Sequence, residues 1–283
     1  MRLVSYDAGD GARAGVLEDE RVVDAWAALG EPHRGSLREL IGAGRVEDLR
    51  ATFGNSGTPS HPRGSVALLP PIPDPDKIIC IGLNYGKHAA EAGAEAPASP
   101  TIFGKYRNAL AAPGATVKLP ALSRKVDYEA EVAFVVGRRA KDVDEADALD
   151  HVAGYTLLND LSARDLQSAT PQWMSGKVFD GSAPCGPALV TPEEAGPHDG
   201  IEITLTLNGE RMQGDSTAAL IFSVPRLLSH LSQLMTLEPG DIVSTGTPDG
   251  VGSVRDPRVW LGDGDELVIE SPTLGRLETT IAR

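Results

Sequence analysis

The sequence predicts an α+β protein that is mostly β, with helices around the edges of mixed sheets. Short alternating runs of apolar and polar residues are more numerous than helical patterns. Asn-Gly and Gly/Pro turns join these runs, and the regular strand–helix alternation of a doubly wound parallel sheet is missing. The length of 283 residues allows one or two domains.

Residues 1–70 are predicted to form a small N-terminal α+β domain. Short strands are expected over residues 1–24, and one or two helices between Ser36 and Leu49, with Ser36 as the N-cap. Residues 54–76 are rich in Gly, Pro and Ser, a composition that disfavours both helix and central strand. We therefore place a domain junction there and assign residues 71–283 to a larger catalytic domain.

The larger domain is predicted to begin with a buried strand at Lys77–Leu83. An Ala-rich helix ending near Gly93 follows, and the Ala/Pro/Ser segment after it has the composition of a mobile lid. The remaining predicted elements are a strand at Val126–Val136, a short helix at Asp144–His151, a strand at Val152–Leu158, a capping box at Ser162–Asp165, a hairpin at Ile201–Leu207 with Asn208-Gly209, a helix at Ser223–Met235 and closing strands at Glu266–Ile269 and Arg276–Ile281.

The net charge of the chain disfavours some classes of binding partner. The 26 Lys and Arg against 40 Asp and Glu give a net charge of −14, which repels nucleic acid and anionic lipid. An anionic small-molecule substrate would need a local cationic centre, either basic side chains or a metal. The N-terminus lacks a signal-peptide pattern and no stretch is long enough for a membrane span, so we expect a cytoplasmic protein. Cys80 and Cys185 are expected to be small buried hydrophobes.

Two glutamates separated by one residue are the first candidates for chemistry. Glu129 and Glu131 lie on one face of a strand, about 6.5 Å apart along the chain. The strand is apolar around them, so a cation would offset the cost of burying both carboxylates. Asp160, at the end of another apolar strand, adds a third oxygen donor, a set that suits Mg²⁺, Mn²⁺ or Ca²⁺. The alternatives are a solvated sheet face for the glutamates and an Asx-type cap for Asp160.

His88 and Glu91 share one face of the Ala-rich helix, so the carboxylate can orient and polarise the imidazole of a general base. The alternative is an ordinary surface ion pair.

Lys105 and Lys177 lie in apolar or Gly-bearing surroundings, where an ammonium can meet a substrate carboxylate. The turn around Thr247 offers backbone N–H groups and a hydroxyl to an anion, or is merely a turn.

Five ordered blocks of this sequence resemble the fumarylacetoacetate hydrolase family. The resemblance runs from about Lys77 to the C-terminus and implies a catalytic domain with the mixed β-roll fold behind a small N-terminal domain, in a homodimer. The blocks are Ile81–His88, Asp127–Glu131, Asn159–Asp165, Gly176–Asp180 with Pro184–Pro187, and Thr236–Pro248.

The resemblance also implies roles for individual residues. Glu129, Glu131 and Asp160 correspond to the ligands of a divalent ion, usually Mg²⁺ or Ca²⁺. His88 with Glu91 corresponds to the water-activating pair on a segment that orders over bound ligand. Around the substrate, the family pattern places Lys177, Gln167 and Thr247.

The resemblance, together with these residues, implies a metal-dependent hydrolase that cleaves a C–C bond in a β-diketo acid of the acylpyruvate or fumarylpyruvate kind. His88 would activate the water, Lys177 would help to neutralise the oxyanion, and the metal would stabilise the enolate that leaves. The alternatives on the same site are an oxaloacetate-type decarboxylase and an isomerase or dehydratase of a 2-oxo acid. A non-catalytic binder of small molecules is disfavoured, because a binder needs no base beside a metal.

Overall fold

The computed structural model describes residues 1–33, 35–53 and 58–283, and it confirms a mostly β protein of the α+β class. The strands are β1 (Arg2–Asp7), β2 (Ala12–Glu18), β3 (Arg21–Asp24), β4 (Ser60–Pro62), β5 (Ala67–Leu68), β6 (Ile78–Gly82), β7 (Thr101–Lys105), β8 (Leu110–Ala111), β9 (Thr116–Lys118), β10 (Val126–Asp127), β11 (Ala130–Val136), β12 (Val152–Asn159), β13 (Ser162–Ala163), β14 (Ala183–Val190), β15 (Glu202–Leu207), β16 (Glu210–Ser216), β17 (Ile242–Ser244), β18 (Glu266–Ser271) and β19 (Gly275–Ala282).

The helices are short and lie between the strands. They are α1 (Ala25–Ala28), α2 (Leu37–Gly42), α3 (Val46–Thr52), α4 (Gly86–Glu91), α5 (Arg164–Gln167), α6 (Pro192–Ala195) and α7 (Val224–Leu234). Single 3₁₀ segments occur at Arg63–Ser65, Arg107–Ala109, Glu145–His151, Trp173–Gly176, Thr217–Ala219 and Gly252–Val254. No helix in the described part of the chain is long and apolar enough to cross a membrane.

The strands form two main sheets. The larger has the order β4-β3-β2-β1-β14-β12-β11-β17-β6-β7, with β5 beside β1 and β8 beside β14. The smaller has the order β16-β15-β18-β19-β9, and β10 pairs with β13 apart from both. Most pairs are antiparallel, but β17 with β6, β14 with β8 and β19 with β9 are parallel. This mixture agrees with the turn-rich sequence and with the absence of regular strand–helix alternation.

Strand β11 lies at the centre of the molecule and is buried along its whole length. Its alternate side chains enter two different apolar cores, one containing Val132 and Phe134 and the other containing Ala133 and Val135. Because both faces are covered, a charged side chain at the end of this strand is removed from water and needs a partner.

The turns and caps follow the sequence with two exceptions. Asn208 and Gly209 connect β15 to β16 with φ of 52° and 82°, as the Asn-Gly hairpin pattern predicts. Ser36 occupies the N-cap position of α2 as predicted, but its hydroxyl donates to Asp74 Oδ1 and makes no capping hydrogen bond. The predicted capping box at Ser162–Asp165 is wrong, because Ser162 belongs to the buried strand β13 and Ala163 takes the N-cap position of α5.

The N-terminal residues join the larger sheet through β1, which pairs with β14 at Leu3 and Leu189. Residues 54–57 of the predicted junction lie outside the described residues. The rest of the junction contains β4, which is an edge strand of the larger sheet and therefore tolerates Pro62, a residue without an N–H to donate. The division into residues 1–70 and 71–283 stays a prediction.

Candidate active site

The register of β11 against β12 brings three carboxylates together. Ala130 pairs with Asn159, so the residue before β11 lies beside the residue after β12, and Asp160 N donates to the carbonyl of Glu129 at 2.9 Å. Possible ligand oxygens of Glu129, Glu131 and Asp160 all lie within 4.8 Å of one another, and all three residues are buried. The solvated sheet face and the simple Asx cap are therefore not what the structure contains.

Two buried lysines neutralise part of this cluster. Lys177 Nζ lies 2.6 Å from Glu129 Oε2, 2.8 Å from Asp160 Oδ2 and 2.7 Å from the hydroxyl of Ser162. Lys105 Nζ lies 2.7 Å from Asp160 Oδ1 and also donates to the carbonyl of Lys177. Both ammonium groups are thus held by carboxylates of the protein, while contact of either with a substrate stays a prediction.

Arg164 is a member of the cluster that the sequence did not reveal. Its guanidinium lies 2.7 Å from Glu129 Oε1 and 2.9 Å from Asp127 Oδ2. The capping-box interpretation of residues 162–165 gave Arg164 no role in the site. The pairing of β10 with β13 at Asp127 and Ser162, far apart in sequence, instead turns Arg164 inward.

The charges act differently on the two glutamates. Burial raises the pKa of Glu129, but Arg164 and Lys177 outweigh that effect and lower its pKa well below the ordinary value. Burial and the charges of Asp160 and Glu129 raise the pKa of Glu131 to about 8, despite its bond from Ser244.

The cluster fits a divalent cation. It presents three buried hard oxygen donors, and its third carboxylate, Glu131, is short of positive charge, which a hard ion such as Mg²⁺, Mn²⁺ or Ca²⁺ would supply. The donor set contains neither His nor Cys, the ligands that zinc prefers.

His88 and Glu91 form a fixed pair beside this cluster. His88 Nδ1 lies 2.8 Å from Glu91 Oε1, and Glu91 Oε2 accepts a bond of 2.9 Å from Gly250 N. His88 is 8% exposed, so the pair is not an ordinary surface ion pair. With Nδ1 facing Glu91, Nε2 is the ring nitrogen that can exchange a proton with another molecule.

One cavity of about 480 Å³ gathers most of the predicted site residues. Its wall includes His88, Glu129, Glu131, Gln167, Lys177 and Thr247. Glu91, Lys105 and Asp160 contact members of this wall. The predicted site residues therefore form one continuous group, although their individual roles stay predictions.

Two polar residues of the group are occupied by the protein itself. The hydroxyl of Thr247 donates to the carbonyl of Ala130 at 2.9 Å and accepts a bond of 2.8 Å from Gln213 Nε2. Gln167 Oε1 accepts a bond of 3.1 Å from Arg164 Nη1. Gln213 lies in β16, is 2% exposed, and connects this strand to the Thr247 turn by also donating to the carbonyl of Pro248. Only the folded chain reveals this contact.

An aromatic wall completes the cavity. Trp173 lies so close to Gly82 that a Cβ on that glycine would be 2.3 Å from the indole ring. Phe103 meets Trp173 edge-on at 5.8 Å between ring centroids. Trp260 lies on the same cavity wall. None of these contacts has a signal in local sequence spacing.

The sequence of the chain matches a known protein family. Residues 77–282 match the family described as Fumarylacetoacetate (FAA) hydrolase C-terminal. The chain therefore belongs to the fumarylacetoacetate hydrolase family, which confirms the resemblance drawn from its motifs.

Particular relatives refine this placement. The chain is 44% identical over 220 residues to the mitochondrial oxaloacetate tautomerase FAHD2B of Bos taurus, covering 77% of this chain and 70% of that protein. The fumarylacetoacetate hydrolase of Exiguobacterium antarcticum superposes with a TM-score of 0.86 at 33% identity, covering 100% of both chains. Maleylpyruvate hydrolase from Sphingobium sp. SYK-6 superposes with a TM-score of 0.82 at 29% identity, covering 100% of this chain and 99% of that one. The family thus supports an enzyme, and these relatives differ in the reaction they are named for.

Proposed function

We propose that this protein is a divalent-metal-dependent isomerase that interconverts the keto and enol forms of a 2-oxo acid of the oxaloacetate type. The observation that carries the proposal is the buried triad Glu129, Glu131 and Asp160 in the same group as the His88–Glu91 pair. The 44% identity to a relative named as an oxaloacetate tautomerase favours proton transfer over bond cleavage.

The triad would hold the ion, and the ion would supply Lewis-acid stabilisation of negative charge at the 2-oxo oxygen. Lys177, on the cavity wall and hydrogen-bonded to Glu129 and Asp160, adds a fixed positive charge beside that oxygen.

His88 is the group that moves the proton. Glu91 fixes Nδ1, so Nε2 accepts a proton from C3 of the keto acid, and the imidazolium returns it to C3 in the reverse direction. The hydrogen bond from Gly250 N holds Glu91 in place while the ring changes charge. In the direction of enol formation, the 2-oxo oxygen takes a proton from solvent and the His88 imidazolium releases the C3 proton to solvent, so that no net proton is gained or lost.

The second candidate is the hydrolysis of a β-diketo acid of the acylpyruvate or fumarylpyruvate kind. The likeness to maleylpyruvate hydrolase over the full length of the chain favours it. In this reaction His88 would deprotonate a water that attacks the distal carbonyl, and the C–C bond would break to give an enolate at the same position. An oxaloacetate decarboxylase would share that enolate but would need no base.

The test compares the three reactions on one preparation. Protein loaded with Mg²⁺ is mixed with oxaloacetate, the enol is followed by ultraviolet absorbance, and pyruvate is assayed separately; acetylpyruvate and fumarylpyruvate are tested in parallel. Because metal ions alone promote enolisation, the Glu129→Gln variant at the same Mg²⁺ concentration is the reference. Faster keto–enol exchange without pyruvate supports the isomerase, and cleavage of a β-diketo acid supports the hydrolase. No rate above the reference with any substrate contradicts both.

A homodimer and a cytoplasmic location also belong to this proposal. The homodimer rests on the family resemblance, and the cytoplasmic location carries over the expectation stated from the sequence. The tautomerase relative, in contrast, is named as mitochondrial.

A further inference from the structure

Two cations on the cavity wall have no side-chain partner in the part of the chain that the structure describes. Lys125 and Arg258 both line the cavity and both are exposed. Within residues 1–33, 35–53 and 58–283, neither side chain takes part in an ion pair or a hydrogen bond. Arg164 and Lys177, the other cations of the wall, are already bound to carboxylates. The uncompensated positive charge of the cavity therefore lies at its exposed part.

Hydrogen bonds hold the backbone at or next to each of these two residues. The carbonyl of Lys125 accepts a bond of 2.9 Å from Arg164 N. The residue after Arg258, Val259, donates to the carbonyl of Gly252 at 3.0 Å, and Gly252 N in turn donates to Asp127 at 2.7 Å. Lys125 immediately precedes β10, and the segment that carries Arg258 is hydrogen-bonded through Gly252 to Asp127 of β10, two residues before Glu129. The backbone of both cations is thus anchored close to one residue of the carboxylate triad.

The cavity has room for more than the 2-oxo acid end of a substrate. At about 30 Å³ per water molecule, 480 Å³ corresponds to roughly sixteen waters. The aromatic side chains of Trp173 and Trp260 on its wall suit the carbon chain of a substrate between two polar ends.

We propose that Lys125 and Arg258 bind a distal carboxylate, so that the site selects 2-oxo dicarboxylic acids over monocarboxylic ones. The inference rests on the proposed function, because it takes the 2-oxo acid end to lie at Glu129, Glu131 and Asp160. The net charge of −14 repels a dianion in general, and Lys125 and Arg258, which have no side-chain partner among the described residues, offset that repulsion at the cavity.

The test is calorimetric binding of matched acids to the protein loaded with Mg²⁺. The pairs are oxaloacetate with 2-oxobutyrate, 2-oxoglutarate with 2-oxovalerate, and 2-oxoadipate with 2-oxohexanoate; each pair differs only in a terminal carboxylate or methyl. For at least one chain length, the dicarboxylate should bind about 10- to 100-fold more tightly than its twin. Lys125→Ala/Arg258→Ala should abolish that excess and leave binding of the monocarboxylate unchanged, and Arg258→Glu should reverse it.

The control is Arg124→Ala/Arg226→Ala, which removes two exposed positive charges that do not line the cavity. It should keep the dicarboxylate excess. No excess at any length, an excess that survives in Lys125→Ala/Arg258→Ala, or an equal loss for both members of a pair would each overturn the inference. Failure of every acid to bind the wild-type protein would instead overturn the proposed function on which the inference rests.

Discussion

At the scale of single residues, Lys177 carries much of the charge balance of the carboxylate cluster, because its ammonium contacts Glu129, Asp160 and Ser162. Lys177→Met should destabilise the metal-free protein by about 3–5 kcal/mol, since it leaves buried carboxylates without their partner. Mg²⁺ should restore more stability to this variant than to the wild type, because the ion replaces the missing charge. Urea unfolding in chelator and in Mg²⁺ measures both effects. The exposed Lys118→Met is the control, and an equal loss in the two variants would contradict the prediction.

His88 should separate catalysis from metal binding. His88→Asn is expected to lower kcat of the reaction that the metal-loaded protein catalyses by about 10²–10⁴, because it removes the group that moves the proton. The affinity for Mg²⁺ should stay the same, since the proposed ligands are Glu129, Glu131 and Asp160 and do not include His88. Glu91→Gln should cost less, because Glu91 acts through the ring that it orients. Steady-state kinetics and calorimetric titration of Mg²⁺ test this, with His230→Asn as the control. A kcat unchanged in His88→Asn would remove His88 from the mechanism.

At the scale of elements, α4 and the segment after it should form a lid. The helix is tied down through Glu91 and Gly250, and Ala94 N to Ala89 O is the last backbone bond at its C-terminal end. Hydrogen exchange over residues 87–99 should slow when oxalate and Mg²⁺ bind together, because closure over the cavity excludes water. Mg²⁺ alone is the control. Equal protection in the two samples would show that this segment does not close over a ligand.

The elements also show which parts of the site a sequence can predict. The proximity of Glu129, Glu131 and Asp160 could be predicted because strand periodicity and strand ends are local properties of the chain. Arg164 was missed because its partner Asp127 is 37 residues away, and that pairing depends on the contact between β10 and β13. The contact of Trp173 with Gly82 was missed for the same reason, because 91 residues separate the two in the sequence. Ser162 shows a different kind of error. The local sequence has the form of a capping box, but in the folded chain Ser162 is buried in β13 and its hydroxyl accepts a hydrogen bond from Lys177.

At the scale of the whole molecule, the first seventy residues share a core with the catalytic part. Leu3 and Trp26 lie in the same buried cluster as Val135 and Leu189. Val135 belongs to β11, the strand that also carries Glu131 of the triad. Such a shared core couples the stability of the N-terminal strands to the geometry of the active site, even if residues 1–70 are a separate unit by descent.

Because of that shared core, the chain should unfold in a single cooperative transition. Amides of β1 and β2 should exchange hydrogen by the same global opening as those of β11 and β12, since opening the N-terminal strands exposes the edge of β14 and the buried cluster that they share with β11. Trp26→Ala should lower the stability of both groups equally, by about 3–5 kcal/mol, because it creates a cavity in the shared core. Native-state hydrogen exchange in increasing urea measures the two groups separately. Loss of protection in β1 and β2 at lower urea, with β11 and β12 unaffected, would show that residues 1–70 fold as an independent domain.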